Sequence, residues 1–323
     1  MRRAILRWRG ILLIAAILLL PVGATAQPDW PNRPVTAIVP FPAGGATDNL
    51  VRAFAQKLSE ALGQPFVVVN HGGAAGAIGT GLAAKAAPDG YTLLFGPANP
   101  LTIVPNLRDT AYTLDDFVPV ARLGTYIAGL VVRNSLPVNS LQEFVALAKA
   151  SPGKITFGSS GIGGMAHIRI EALKQATGIN VLHVPYAGGP AEMQDLLGNR
   201  LDAMTENIVF PMAKAGSVRL LAIIGDQRQK DFPDVPTVGE AGFPELNTPG
   251  NFAIFAPRGT PQPIITRLNA EVVKIAKMPE MRDAMMTIGF AMGYDTPAEI
   301  KAAVDDEAAV YAKIIRAGNI KAN

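Results

Sequence analysis

The 323-residue sequence contains no cysteine. Disulfide frameworks, thiolate zinc sites, iron–sulfur clusters and cysteine nucleophiles are therefore all excluded. Charged side chains are scarce at 17% of the residues, against 49% for apolar ones, and this balance excludes a disordered chain or a long solvated coiled coil. Because the chain exceeds the size at which one hydrophobic core stops growing, we expect two lobes.

The sequence also has little excess charge once its N-terminal segment is set aside. The formal net charge is +3, but residues 1–26 contribute four arginines and no acidic residue. The rest of the chain then holds 25 basic against 26 acidic residues, with no basic run. A nucleic-acid-binding surface is therefore not indicated.

Long apolar runs are missing as well. Ile11–Leu20 is an unbroken apolar run of ten residues, about half the length that a membrane-spanning helix needs. Pro21 and the small residues Ala24–Ala26 follow, and this order predicts a signal peptide over residues 1–26, cleaved before Gln27. An uncleaved N-terminal anchor is the alternative. We expect a secreted protein, located in the periplasm where the cell has one.

Two similar strand–loop–helix modules follow in the chain. The first leads from the strand Val35–Val39 through a loop into a helix that Thr47 or Asp48 can cap. The second leads from the strand Lys154–Gly158 through the glycine-rich loop Ser159–Gly164 into another helix. Strands that alternate with helices predict an α/β fold with parallel sheets covered on both faces.

Two apolar strands between the modules are suited to cross from one lobe to the other, namely Ala128–Val132 and Asn251–Phe255. They predict one lobe from residues 27–127 plus 252–323 and a second lobe from residues 128–251. The C-terminal helices are expected to pack on the first lobe. Two α/β lobes joined by two crossings enclose a cleft, the geometry of a hinge-closing binding protein.

Both glycine-rich loops lead from the end of a strand into the start of a helix. A helix start presents unpaired N–H groups and a partial positive charge, so it attracts anions. The hydroxyls of Thr47, Ser159 and Ser160 add donors for a carboxylate. A ligand with two acidic ends is able to bridge the lobes. The alternative is that these glycines only make tight turns.

Motifs for cofactors and metals are absent or incomplete. Gly161–Ala166 matches the dinucleotide-binding pattern, but Val181–Pro185 lacks the acid that binds the ribose. The three histidines, His71, His167 and His183, have no metal-ligand spacing. We therefore expect no cofactor and no metal. His167, in the first turn of the second helix, has either a structural role or a ligand contact.

Glu206 directly follows a strand of the second module, where acidic residues often face a ligand site. A solvated loop acid is the alternative. A secreted α/β enzyme that uses His167 and Glu206 as an acid–base pair is the least favoured interpretation, because nucleophile, metal and cofactor motifs are all missing. We expect no enzymatic activity.

Several motifs together resemble the Bug (Bordetella uptake gene) receptors, the TctC-type solute receptors of tripartite tricarboxylate transporters. The resemblance covers nearly the whole chain after the predicted signal peptide. The matching segments are Pro34–Asp48, Gly63–Pro65, Gly76–Gly79, Ala86–Tyr91, Pro152–Lys154, His183–Tyr186, Asp234–Thr237 and Ala256–Pro261.

The resemblance implies a type II periplasmic binding-protein fold that closes like a Venus flytrap on a small carboxylate. It implies that the loops Phe41–Asp48 and Ser159–His167 hold the carboxylate, and that Glu206 and Asn207 meet other polar groups of the ligand. The expected function is a monomeric receptor that serves the membrane components of such a transporter. A sensor protein that presents its ligand to a membrane kinase is the alternative.

The predicted ligand-binding residues lie on these loops, on neighbouring strand ends and at the second crossing. They are Phe41, Ala43, Gly45, Ala46, Thr47, Asp48, Gly76, Ile78, Pro97, Ser159, Ser160, Gly161, Gly163, His167, Tyr186, Glu206, Asn207 and Asn251. The sequence departs from the family pattern at Gly164 and Met165, where serines are frequent, at Ala187, where a cation is common, and at Asn251, where tryptophan is common. These departures predict an altered ligand selectivity.

Overall fold

A computed structural model describes residues 30–248 and 250–321. The predicted signal peptide and its cleavage site lie outside these residues. The described residues from Arg33 onward form one compact unit. Among the described residues, no helix is both long and apolar enough to span a membrane.

The strands of the described residues are numbered here in chain order. They are β1 Val35–Val39, β2 Phe66–Asn70, β3 Thr92–Pro97, β4 Phe117–Tyr126, β5 Ala128–Arg133, β6 Thr156–Ser159, β7 Leu182–Pro185, β8 Ala203–Glu206, β9 Val218–Ile224, β10 Asn251–Pro257 and β11 Phe290–Ala291.

The α-helices are numbered in the same way. They are α1 Ala46–Leu62, α2 Ala77–Ala84, α3 Asn99–Thr102, α4 Leu141–Ala150, α5 Met165–Thr177, α6 Gly189–Leu197, α7 Val209–Lys214, α8 Gln262–Ala276, α9 Pro279–Thr287 and α10 Pro297–Ala317.

The first sheet has six strands in the order β11-β4-β10-β3-β1-β2. Strand β1 pairs in parallel with β2 and β3, whereas β10 is antiparallel to both β3 and β4. The sheet is therefore mixed, and the prediction of a parallel sheet holds only around β1. Helix α1 covers it with an apolar face, because Leu50, Val51, Phe54 and Leu58 are all buried.

The second sheet has five strands in the order β7-β6-β8-β5-β9. Strand β6 is parallel to β7 and β8, and β5 is antiparallel to β8 and β9. This sheet is mixed because the crossing strand β5 runs antiparallel to its neighbour β8. The crossing strand β10 has the same effect in the first sheet, where it runs antiparallel to β3. The prediction of two α/β modules, each with its own sheet, is confirmed.

The chain passes from the first sheet to the second at Ile127, the residue between β4 and β5. It is back in the first sheet at Asn251, where β10 begins and pairs with Thr125. The exact lobe boundaries stay a prediction.

Helix α10 packs against both sheets. Ile300 and Val304 in its first half belong to the core of the first sheet. Tyr311 and Ile314 in its second half belong to the core of the second. The C-terminal helix therefore does not pack on the first lobe alone, because its apolar face is long enough to reach the second core as well.

Candidate functional site

The first loop, residues 41–48, ends at a helix start without a side-chain cap. Helix α1 has Gly45 as its N-cap, and Thr47 and Asp48 already lie inside its first turn. The prediction that one of these two side chains caps the helix is therefore wrong. Gly44, with a φ of 82°, turns the chain directly before Gly45, and the N-cap lies two residues earlier than Thr47. A glycine N-cap leaves the first amide groups without a side-chain acceptor, as an anion site at a helix start requires.

Asp48 fixes this loop from within. Its side chain is only 3% exposed. Its Oδ2 accepts hydrogen bonds from the Gly44 N–H at 2.9 Å and from Arg52 Nε at 2.8 Å. Its Oδ1 accepts one from Asn70 Nδ2 at 2.9 Å. Burial raises the pKa of Asp48, but these donors outweigh burial and lower it below its usual value. Asp48 is thus an ionised positioning residue whose oxygens are already used.

Other predicted residues gather around the first loop. A side chain at Gly76 would lie 3.4 Å from the Phe41 ring, and one at Gly96, beside Pro97, would lie 3.5 Å from the Thr47 methyl group. The end of β3 and the start of α2 therefore border the loop. Ala43 and Gly45 are exposed, Ala46 is half-buried, and Ile78 is 53% exposed beside the loop after β2.

The second loop, residues 159–167, has the same kind of helix start. Helix α5 has Gly164 as its N-cap, again without a side-chain cap. Gly161 and Gly163 have φ values of 124° and 77°, which L side chains rarely adopt. The Ser159 hydroxyl donates to the Gly161 carbonyl at 3.1 Å and lies 2.6 Å from His183 Nε2. The loop is therefore held in its turn by its own first serine.

Two stacked histidines lie directly behind the second loop. The rings of His167 and His183 are 4.0 Å apart and nearly parallel. His167 Nδ1 accepts a hydrogen bond from the Gly163 N–H at 3.0 Å. Burial lowers the pKa of both histidines to about 4, and the charge of Lys174 adds to this effect. Both rings are thus neutral near pH 7, and His167 supports the loop structurally.

Glu206 and Asn207 meet the second loop and the first crossing. Glu206 Oε1 accepts from the Ser160 hydroxyl at 2.7 Å, and its Oε2 accepts from the Tyr126 hydroxyl at 2.6 Å. The Asn207 N–H donates to the same Tyr126 oxygen at 3.1 Å. Burial, followed by the negative charge of Glu206, raises the pKa of Tyr126 well above its usual value. Tyr126 therefore stays a neutral donor that ties the end of β4 to the second sheet.

Aromatic contacts continue from Tyr126 to the first sheet. Its ring stacks on Phe252, with centroids 5.9 Å apart, and Phe252 pairs with Pro97 across the β10–β3 ladder. A side chain at Gly163 would clash with Leu107, which follows α3. These contacts connect the second loop with the end of β3 and the segment after α3; that the two loops form one site stays a prediction.

Two predicted residues have their side chains engaged elsewhere. The Tyr186 hydroxyl donates to Asp195 Oδ2 at 2.9 Å, so only its backbone borders the second loop. Asn251 is buried, where its amide donates to Glu307 Oε2 at 2.7 Å and accepts from Arg122. These contacts make Asn251 part of the crossing.

Sequence reasoning missed Tyr126, His183 as a supporting residue, and the Arg52–Asn70 frame around Asp48. Tyr126, His183 and Asn70 act through partners 22 or more residues away, so no local pattern indicates them, whereas the i,i+4 spacing of Asp48 and Arg52 is a local signal for their ion pair. Within residues 30–248 and 250–321, no cluster of three or more His, Asp or Glu side chains is arranged to hold a metal.

The chain has clear relatives in sequence. It matches the family model described as tripartite tricarboxylate transporter family receptor over residues 50–320. It is 36% identical over 312 residues to protein BugT of Bordetella pertussis, with 95% of both chains covered.

Two solved structures extend this comparison. An R. palustris protein solved with adipate has a TM-score of 0.80 at 33% identity and covers 90% of this chain and 99% of its own. MatC from Rhodopseudomonas palustris, solved with bound malate, has a TM-score of 0.77 at 29% identity, with 88% of this chain and 100% of its own covered. The predicted two-lobed binding-protein fold is confirmed.

Proposed function

The chain belongs to the TctC receptor family of tripartite tricarboxylate transporters, and from this premise we propose that it is a periplasmic receptor that captures a small organic carboxylate for such a transporter. The observation that carries the proposal is the pair of glycine-capped helix starts, α1 after Gly45 and α5 after Gly164. Each offers main-chain N–H groups and the positive end of a helix dipole to an anion.

Two of the similar structures support the ligand class, because one was solved with adipate and the other with bound malate, both carboxylates. The Glu206 carboxylate beside the second loop fits a ligand that carries donor groups besides its own carboxylate. The hydroxyls of Ser160 and Tyr126 are held by Glu206, so hydroxyl groups and an acid stand beside the anion-attracting helix start. This mixture suits a carboxylate that carries further polar groups.

Family membership assigns the chain to receptors, and the acid–base pair required by an enzyme finds no support. His167 Nδ1 is used by the Gly163 N–H, and both oxygens of Glu206 are used by hydroxyls. The sensor role keeps the same binding site and differs only in the membrane partner. Measuring both carboxylate uptake and gene induction in a deletion strain separates transport from sensing.

Thermal unfolding of the purified protein with a panel of mono-, di- and tricarboxylates tests the ligand class. A ligand present at 100 times its Kd stabilises the folded state by about 2.7 kcal/mol, which corresponds to a rise in Tm of about 4 °C for a chain of this size. The corresponding amides are the control, since they keep the shape and lack the charge. An unchanged Tm with every acid of the panel would falsify the carboxylate proposal.

A further inference from the structure

Arg169 is a buried arginine at the place where the two crossings of the chain between the sheets meet. It lies in the second turn of α5 and is 2% exposed. Its Nε donates to Thr248 Oγ1 at 3.1 Å, and Thr248 shortly precedes β10, the second crossing strand. Its guanidinium carbon lies over the Tyr126 ring, 5.5 Å from the centroid, and Tyr126 is the last residue before the first crossing. One side chain therefore contacts both crossings.

The two crossings are bonded to each other at the same place. The Tyr126 N–H donates to the Gly250 carbonyl at 2.9 Å. A side chain at Gly250 would lie 2.6 Å from the Met165 methyl group and 3.0 Å from Tyr126 Cβ, so this close approach requires glycine. Met165 is the first residue of α5, directly after the second loop. The start of α5 therefore packs on both crossings, one helical turn before Arg169.

Helix α10, which packs against both sheets, meets the same group of residues. Its Tyr311 belongs to the core of the second sheet and is hydrogen-bonded to the Thr248 side chain. Burial raises the pKa of Tyr311, and the positive charge of Arg169 opposes that rise. The guanidinium thus interacts with three segments that join the two sheets, namely the end of β4, the segment before β10 and helix α10.

The guanidinium of Arg169 is held by a hydroxyl and an aromatic ring. Neither Nη1 nor Nη2 has a hydrogen-bond partner among the described residues, and a buried charge without any compensation is costly. The face of an aromatic ring attracts a guanidinium, and more strongly where water is excluded. This attraction requires the ring to lie under the guanidinium, so it fixes Tyr126 relative to α5. An apolar side chain of similar length would fill the space without fixing the ring.

Tyr126 connects this position to the candidate site. Its hydroxyl donates to Glu206 Oε2 at 2.6 Å, and the Ser160 hydroxyl of the second loop donates to Oε1 of the same glutamate at 2.7 Å. In a hinge-closing receptor the crossings bend while the lobes move as rigid bodies. A side chain that holds α5 against both crossings therefore controls how the second loop is placed when the receptor closes.

We propose that Arg169 is a positioning residue for carboxylate binding, which acts through Tyr126 and Thr248 to hold the second loop in place relative to the two crossings. The inference rests on the proposed function, since it concerns the closure of the same receptor around its ligand. Because Arg169 contacts the crossings rather than the ligand, its loss lowers the population of the form that is able to bind. The apparent affinity for every carboxylate then falls by the same factor.

Isothermal calorimetry with butanoate, succinate, malate, adipate and citrate tests this inference. Arg169→Met is expected to weaken the binding of each acid that wild type binds by about tenfold, with the factors for different acids agreeing within about threefold. Arg169→Lys keeps a cation for the Tyr126 ring and loses the fork that also reaches Thr248, so it is expected to lie between Arg169→Met and wild type. Thr248→Val removes only the acceptor of Arg169 Nε and is expected to weaken every acid by about threefold.

The matched control is Arg219→Met, which removes another arginine of the second sheet. Arg219 Nη1 donates to the Leu136 and Val138 carbonyls at 3.0 and 2.7 Å, beyond the end of β5 that lies away from the first crossing. This variant is expected to lower the Tm and to leave all affinities unchanged. Unchanged affinities in Arg169→Met, a loss confined to some of the acids, or an equal loss in Arg219→Met overturns the inference while the proposed function stands. A wild type that binds no carboxylate overturns both.

Distances between the lobes give a readout that a merely structural role would not change. The chain has no cysteine, so spin labels can be placed at the exposed positions Lys85→Cys, after α2, and Gln194→Cys, on α6. Double electron–electron resonance is expected to show a narrower and shifted distance distribution when a bound acid is added to wild type or Arg219→Met. Arg169→Met is expected to keep a broad distribution with a smaller shift, and a wild-type response overturns the inference. If Arg169→Met does not fold, Thr248→Val decides, and wild-type affinity and distances in that variant overturn the inference.

Discussion

Glu307 lies beside the first sheet and Glu192 beside the second. Both are buried, but only Glu307 has hydrogen-bond partners among the described residues. Glu307 is 1% exposed, and its oxygens accept from the Thr102 hydroxyl and from the backbone and side-chain N–H groups of Asn251. Glu192, on α6, is fully buried, and neither of its oxygens has a partner among the described residues. The buried carboxyl beside the first sheet is therefore hydrogen-bonded, and the one beside the second sheet is not.

The same contrast extends beyond these two acids. The described side-chain atoms that are buried without a hydrogen-bond partner belong mainly to elements of the second sheet: Arg169, Glu192 and Thr205, against Thr80 beside the first. Unpartnered polar groups cost stability, so they are retained where function needs them. The buried polar groups of the first sheet are thus nearly all hydrogen-bonded, whereas the second sheet keeps several that are not.

The largest expected effect is on the free energy of unfolding, which should change in opposite directions when the two glutamates are replaced by leucine. Glu307→Leu leaves the buried backbone N–H of Asn251 without its acceptor and removes one of two acceptors from the Thr102 hydroxyl and the Asn251 amide, so it is expected to destabilise the protein by about 2–4 kcal/mol. Glu192→Leu replaces an unpartnered carboxyl with an apolar group of similar size, so it is expected to leave stability unchanged or raise it by about 1–3 kcal/mol. Urea unfolding of the ligand-free variants measures both.

The pH dependence of Glu192→Leu serves as its control. Burial, followed by the charge of Glu206, raises the pKa of Glu192 to about 9. Its contribution to stability is therefore present below the unfolded value near 4.5 and is lost as the pH rises through about 9. The advantage of the leucine variant should grow between pH 7 and 9. Equal destabilisation by both leucine substitutions would contradict the contrast between the two regions.

A smaller effect separates the two loops. Gly161 has a φ of 124°, so Gly161→Ala is expected to cost about 1–3 kcal/mol. Gly45 has a φ of −79°, and a Cβ there meets its nearest atom at 3.7 Å, so Gly45→Ala should stay within about 0.5 kcal/mol of wild type. Differential scanning calorimetry compares the two variants.

The exposed Gly45 also provides the cleaner binding test. Gly45→Leu is expected to abolish carboxylate binding with little change in Tm, because a larger side chain covers the helix start without straining the backbone. Asn49→Leu, on an exposed position of the same helix, is the matched control and should bind normally. Normal affinity of Gly45→Leu would remove the first helix start from the site.

The elements with strong local signals could be predicted from the sequence. Strand β1 has the bounds expected, Val35–Val39, and helix α5 begins at Met165 as expected. The β-branched run of β1 ends at Pro40, and α5 begins directly after Gly164. Proline and glycine mark such boundaries within a few residues.

The rest depends on contacts between distant residues. The mixed sheets arise because β5 and β10 enter against the module strands, and strand direction is not encoded in local periodicity. The Tyr126–Glu206 bond joins residues 80 positions apart. Arg169 looks like an ordinary surface arginine in the sequence, and only the packing of α5 against Tyr126 and Thr248 shows that it is buried and unpaired.

The smallest expected effect concerns acid stability, because only the second loop depends on neutral histidines. An unfolded histidine takes up a proton near pH 6.5, whereas burial holds the pKa of His167 and His183 at about 4. Their contribution to stability is therefore complete above pH 6.5 and is lost as the pH falls toward 4. Glu171 and Lys174, whose charges act on His183, are unchanged in the variant described next. The double variant His167→Asn/His183→Gln keeps polar groups in place without titrating, so between pH 7.5 and 5 its Tm should fall by about 3–6 °C less than that of wild type. His71→Asn should follow wild type, and a double variant that also follows wild type would show that the histidine pair does not set the acid stability of the second loop.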